Sequence, residues 1–224
     1  MNSLANINGE LRAGSVALHT PVGCNTKRLI DIILASVAIF LLAPLLIICW
    51  VATTVTSPGS AIFRHKRVGF RGDSFDCFKF RTMVVDASDQ LAWLLERDPL
   101  AAAEWAANRK LRYDPRITAI GAILRRSSLD ELPQLFNVLR GDMSIVGPRP
   151  VTQDELSRYA KSIPEYLSCR PGVTGLWQVS GRSSTTYRKR VACDSFYARN
   201  WSIQLDLKII VATIPALMPS DDAC

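Results

Sequence analysis

The sequence predicts an α+β protein: a small cytoplasmic domain built from a β-hairpin and several amphipathic helices, anchored by a Pro-kinked re-entrant membrane helix. Three observations carry that expectation. No residue from Ile32 to Phe63 is charged, and Ile32 to Val55 is almost continuously apolar. Ile62–Val68 and Phe75–Met83 are rich in β-branched and aromatic residues on either side of a Gly69–Gly72 turn, the pattern of a hairpin. Downstream, apolar residues recur at helical spacing between Pro and Gly breaks. The division expected is a lead over 1–26, a membrane helix over 27–59 and a soluble domain over 60–224.

A straight helix over Ile32–Val55 would be about 36 Å long, enough for a hydrocarbon layer of roughly 30 Å. Pro44 lies at its centre, where a missing backbone N–H kinks a helix. Both flanks are basic, with Lys27 and Arg28 before it and Arg64, Lys66, Arg67 and Arg71 after it. Positive flanks favour the cytoplasmic side, so charge draws both ends to one face. A helix that enters, breaks near Pro44 and returns satisfies both facts; a kinked span is the alternative. Asp31 is spaced to pair with Arg28 on one helix face.

Beyond the hairpin, Asp86–Arg97 and Leu100–Leu111 read as helices split by Asp98-Pro99, with Trp93, Leu94 and Trp105 on their apolar faces. Ser128 and Glu131 have capping-box spacing, and Leu132, Leu135, Phe136 and Leu139 form a stripe that Gly141 ends. That reading sets Asp130 and Glu131 at the positive end of a helix dipole, a place that suits phosphate. Acidic residues are also ordinary in a first helical turn, so a plain capped helix stays open.

Gly147-Pro148-Arg149-Pro150 is a stiff turn that fixes one arginine. Arg170-Pro171-Gly172 and Gly175–Arg182 add glycines, Trp177, Gln178 and Arg182, a mixture suited to clamping phosphate through forked guanidinium donors. Trp177 as simple core is the competing reading. Tyr187–Tyr197 reads as a basic amphipathic helix, and Trp201 leads an apolar helical pattern from Ile203 to Leu217 that suits either a membrane interface or a core.

The chain has a net charge of +7, with 24 Lys/Arg against 18 Asp/Glu from Ser60 onward. Nucleic acid, anionic lipid and phosphorylated small molecules all fit that excess. No nucleic-acid motif accompanies it, so no nucleic-acid partner is expected. The six cysteines show no metal-ligand spacing and fit a reducing compartment. Only His19 and His65 are present. Chemistry that needs a positioned imidazole is therefore disfavoured, and carboxylates, cations or a metal must do the work.

At this point the motifs resemble a known family, the bacterial sugar transferases or monotopic polyprenyl-phosphate phosphoglycosyl transferases. The resemblance rests on Lys27-Arg28 with Asp31, Phe78-Lys79-Phe80-Arg81-Thr82-Met83, Ser128–Leu135, Gly141–Pro150, Arg170–Gln178 and Asn200-Trp201-Ser202. It covers about Lys27 to Pro215, with one departure: Ala43-Pro44 stands where the family carries Ser-Pro. The stretch from Glu104 to Arg116 is similar to rhizobial enzymes that start exopolysaccharide synthesis with galactose-1-phosphate; glucose-1-phosphate enzymes are close cousins.

The resemblance implies transfer of a hexose-1-phosphate from a UDP-sugar to undecaprenyl phosphate, releasing UMP, with Mg²⁺, at the bacterial inner membrane. It implies Asp130 as the nucleophile that carries a phosphosugar, and Glu131 as its partner in catalysis or metal binding. Arg125 and Arg149 match phosphate-holding positions, Lys79 and Arg81 join Trp177, Gln178 and Arg182 as substrate-binding candidates, and Lys27 and Arg28 suit the lipid phosphate. Membrane lipid is an implied partner, and a homo-oligomer is left open. A membrane-anchored scaffold without catalysis is the competing class, and it predicts that Asp130→Asn leaves function intact.

Overall fold

The computed structural model describes residues 20–108, 111–181 and 186–216. Helix α1, Cys24–Thr56, is the apolar segment, and it continues through Pro44. It is long and apolar enough to cross a membrane. Its buried residues are Lys27, Asp31 and Ala35 near the start and Cys49 and Thr53 near the end. Between and around them Phe40, Leu41, Ile47 and Ile48 stand exposed, Phe40 at 79%.

Strands β1, Ile62–Val68, and β2, Ser74–Phe80, form the expected antiparallel hairpin, pairing Ile62 with Phe80 and Val68 with Ser74. β2 stops three residues before Met83. Arg81 turns away to donate to the Ser57 and Pro58 carbonyls at 2.6 and 2.7 Å, and Thr82 gives its carbonyl to the Thr118 N–H. Met83 keeps only an isolated bridge to Ile117.

The two halves of α1 rest on this hairpin and its neighbours. Ala35 shares a buried cluster with Phe75, Cys77, Val138 and Met143. Cys49 shares another with Phe80 and Leu124.

Helices α2, Ala87–Arg97, and α3, Pro99–Asn108, divide at Asp98-Pro99 as expected, with Asp98 capping α3 through the Leu100 and Ala101 N–H groups. Trp93 departs from the expectation: it is 55% exposed and lies under the Arg97 guanidinium instead of in a core. Trp105 stacks beneath Arg116, which is locked to Asp114.

Helix α4, Ala119–Arg126, is capped by the Thr118 hydroxyl. The expected capping box at Ser128 does not form. Ser128 takes a left-handed backbone with φ 57°, its side chain caps nothing, and Leu129–Glu131 make a single 3-10 turn. The regular helix α5 runs only from Gln134 to Arg140, where Gly141 stops it at φ 93°. Its buried face carries Gln134, Leu135, Asn137 and Val138, while Phe136 and Leu139 of the expected stripe stay exposed. Asn137 is drawn inward because its side chain bridges the strand backbone at Asp76 and Phe78.

Three-residue strands β3, Ser144–Val146, and β4, Gly172–Thr174, pair in parallel. Their approach requires glycine: a Cβ on Gly172 would lie 2.1 Å from the Gly147 nitrogen. Short helices α6, Gln153–Leu156, α7, Ile163–Leu167, and α8, Leu176–Val179, flank them. Helix α9, Tyr187–Asn200, leads through Trp201 to the apolar helix α10, Ile203–Ala216.

Asp31 does not pair with Arg28. It accepts from the Ser144 hydroxyl and the Ile145 N–H at 3.0 Å, with Lys27 4.0 Å away. Arg28 is taken instead by the Val138 and Leu139 carbonyls at the end of α5, where a helix terminus attracts a cation.

Candidate active site

Leu129 and Leu132 are the anchors that set the acidic pair. Both pack against the Cys49–Phe80–Leu124 cluster, so the 3-10 turn between them presents Asp130 and Glu131 toward β2. Lys79 on β2 meets them there. Its ammonium stands 2.5 Å from Glu131 Oε1 and 3.9 Å from Asp130 Oδ2. Arg125, at the end of α4, is fixed by donating its Nε–H to the Thr82 hydroxyl at 2.8 Å.

The two carboxyls titrate apart. Burial pushes Asp130 up to about 6, and the adjacent Glu131 charge adds to that, against the opposing pull of Lys79 and Arg125. Burial acts on Glu131 in the same direction, but the Lys79 charge and hydrogen bond, with Arg149 and Arg67 behind them, hold it below the usual range. Glu131 is thus favoured as the anion, while Asp130 is shifted up to about 6. That is the pattern of a pair whose members have different tasks.

Arg149 projects from the Gly-Pro-Arg-Pro turn, which is clamped by the Gly147 N–H to the Thr174 carbonyl and the Gly172 N–H to the Pro148 carbonyl. Its guanidinium lies 5.2 Å from the centre of the buried Trp177 ring. Gln178 donates its amide to the Val173 carbonyl. The structure therefore brings Asp130, Glu131, Lys79 and Arg125 together, with Arg149 acting on Glu131 and Trp177 beneath Arg149.

Three candidates serve elsewhere. Lys27 is buried in an ion pair with Asp206 at 2.7 Å, and Asp206 also accepts from Tyr197 and Trp201. Arg28 holds the far end of α5, and Arg81 holds the end of α1. Arg182 lies outside the described residues.

Three residues escaped the sequence reading as site candidates. Arg67 on β1 pairs with Glu155 at 3.0 Å and adds to the field on Glu131. Arg190 on α9 lies 4.2 Å from the centre of the Trp177 ring, and Asp194 one turn later is 1% exposed. Arg190 and Asp194 are four apart on a helix, a spacing that marks one face but does not say what the face meets.

Among the described residues no three His, Cys, Asp or Glu side chains gather as a metal cluster. Asp130 and Glu131 still match a hard dication such as Mg²⁺, which takes one or two carboxylates and completes its sphere with substrate phosphates and water.

The chain is similar to known proteins along most of its length. The family described as Bacterial sugar transferase matches residues 23–220. The chain is 48% identical to the exopolysaccharide production protein ExoY of Rhizobium meliloti, over 88% of this chain and 87% of that protein. It is 48% identical to the undecaprenyl-phosphate galactose phosphotransferase of Salmonella typhimurium over 88% of this chain, but spans only 41% of that protein's length. A UDP-glucose:undecaprenyl-phosphate glucose-1-phosphate transferase of Caulobacter vibrioides is 42% identical over 88% of this chain and 71% of its own length. With the match running from the start of α1 through α10, the chain belongs to the bacterial sugar transferase family.

Proposed function

We propose that this chain transfers a hexose-1-phosphate, galactose or glucose, from a UDP-sugar to undecaprenyl phosphate as the first membrane step of exopolysaccharide synthesis. The observation that carries the reading is the split acidic pair: Asp130, desolvated and titrating near 6, beside Glu131, held anionic by Lys79 at 2.5 Å. Relatives named for undecaprenyl-phosphate transfer of galactose and of glucose-1-phosphate support the substrate class.

In this reading an Asp130 carboxylate oxygen attacks the sugar-linked phosphorus of the donor. The bond from that phosphorus to the bridging oxygen breaks, and UMP departs with the electron pair. An oxygen of the lipid phosphate then attacks the same phosphorus and breaks the bond to Asp130, which regenerates the carboxylate and forms the lipid diphosphate-sugar. Two anions must approach in the first step, so positive charge has to be fixed in advance. Arg125 supplies it on the Asp130 side, Arg149 does so on the Glu131 side, and Lys79, held by Glu131, reaches toward both carboxylates. Mg²⁺, held by Asp130 and Glu131, would neutralise donor diphosphate charge when bound.

A membrane site follows from the same chain. Both ends of α1 pack on the domain that carries the acidic pair, which supports a re-entrant helix with the domain on the cytoplasmic face, where UDP-sugars are found. Lys27 and Arg28 then fix the start of α1 to α10 and α5.

The test combines purified protein, Mg²⁺ and undecaprenyl phosphate with UDP-galactose or UDP-glucose, and follows UMP. Release that needs Asp130 and leaves a phosphosugar on it is expected. A protein that releases no UMP from any UDP-sugar is not this enzyme.

A further inference from the structure

Trp177 is 6% exposed, yet its indole Nε1–H meets no hydrogen-bond partner among the described residues. The Nε–H groups of Arg149 and Arg190 are likewise buried without a partner, as is the Gln178 amide oxygen next to Trp177 in the chain. Four such atoms, on Trp177, on the two arginines over its ring and on the neighbouring Gln178, are costly, because buried polar groups are nearly always paired. Three of the four are N–H donors.

The charges tell the same story. Two guanidinium groups approach one indole, Arg149 at 5.2 Å and Arg190 at 4.2 Å from its centre. Like charges gathered on one ring repel, and burial together with the Arg149 charge disfavours the Arg190 cation. Glu155 and Asp194 face this group, but each is committed. Glu155 accepts from Arg67 and Thr152, and Asp194 accepts from the Tyr159 hydroxyl at 2.6 Å. The stem under the cluster is stiff on both sides, with Arg149 in a double-proline turn and Arg190 on a regular helix.

We infer that Arg190 joins Arg149, over Trp177, in a phosphate-binding subsite on the Glu131 side of the acidic pair, separate from Arg125 on the Asp130 side and from Lys79, which is already held by Glu131. Paired forked donors over a flat aromatic platform match a phosphate monoester, whose oxygens accept several N–H groups at once. Within the proposed function that phosphate belongs either to the nucleotide leaving group or to the polyprenyl acceptor. Asp194, one turn beyond Arg190, is the positioning residue. It lies within the fields of both arginines and takes a hydrogen bond from the Arg149 backbone.

The test measures binding rather than turnover, so it stands apart from the transfer activity. Detergent-solubilised full chain is titrated with UMP, inorganic phosphate and farnesyl phosphate, in wild type, Arg190→Gln, Arg190→Lys and Arg188→Gln. Arg188 is exposed on the same helix and controls for net charge. Arg190→Gln is expected to weaken phosphate binding by roughly 10- to 100-fold, Arg190→Lys by less, and Arg188→Gln not at all. Weakening confined to UMP assigns the subsite to the nucleotide; weakening confined to farnesyl phosphate assigns it to the lipid. Unchanged affinities in Arg190→Gln, or an equal loss in Arg188→Gln, overturn the subsite. A wild-type measurement guards against a misfolded variant: bound UMP or farnesyl phosphate should protect Arg190 from phenylglyoxal. Full reactivity of Arg190 with both ligands saturating also overturns it.

Discussion

Lys79 reaches Glu131 at 2.5 Å and Asp130 only at 3.9 Å, so one ammonium treats two adjacent carboxylates unequally. If Asp130 must be ionised to react, the rate of UMP release should fall about tenfold per pH unit below about 6. Lys79 opposes the upward shift of Asp130, so Lys79→Met should move that acid limb to higher pH; an unmoved limb means Asp130 does not set it. The same burial makes Asp130 a stability cost. Its folded value lies above the unfolded value near 3.9, so the favourable contribution is present below that value and is lost as pH rises through about 6. Asp130→Asn should therefore abolish transfer yet raise stability at pH 7 by about 1–3 kcal/mol, with the advantage vanishing near pH 4, as thermal melts across that range would read. The family resemblance singled out the acidic pair, Lys79, Arg125 and Arg149, and the structure sets these residues near one another. Arg190 and Asp194 were not legible in the sequence, because their task depends on what α9 packs against, and that contact is more than ten residues away in sequence.

At the scale of elements, turn chemistry was the reliable signal. Gly141 ends α5 in the left-handed region, Asp98-Pro99 separates α2 from α3, and the Gly69–Gly72 stretch closes the hairpin. The 3-10 turn at Leu129–Glu131 was misread as a capped helix, since the serine and glutamate spacing is right while Lys79, invisible locally, claims the glutamate. The parallel pair β3–β4 was missed because three residues carry too little period to declare a strand. That pair still sets a sharp expectation. Gly172→Ala places a methyl 2.1 Å from the Gly147 nitrogen, in backbone that cannot give way without moving Arg149. It should cost about 3 kcal/mol or more and lower transfer with it. Gly72→Ala has a positive φ of 89° but open space around it, so it should cost only about 1–2 kcal/mol and leave activity intact. Equal melting shifts for the two variants would mean the β3–β4 approach is not tight.

Taken as a whole, the molecule has two apolar helices that begin at one buried ion pair. Lys27 at the start of α1 meets Asp206 on α10 at 2.7 Å, while outward faces of both helices show bare hydrocarbon, with Phe40 and Val55 each 79% exposed on α1 and Val211 64% on α10. A soluble protein would bury such a surface or pair it with another chain; the proposed membrane site would account for its exposure. The sequence already showed that α1 is membrane-length and basic at both flanks, but not how its ends are held. The structure holds them by different devices: Lys27 and Arg28 at the start, and Arg81 on the Ser57 and Pro58 carbonyls at the end. A helix fully spanning the bilayer would put these clamps on opposite sides of about 30 Å of hydrocarbon, whereas the proposed re-entrant helix would let both reach the same domain. Single-cysteine variants at Asn25 and Ser60, in a background lacking the native cysteines, test this in whole cells with a membrane-impermeant maleimide. Both sites should stay unlabelled from outside and react equally once the membrane is opened. Labelling of either one alone from outside would place α1 across the membrane, and the domain could then retain only one of its two clamps.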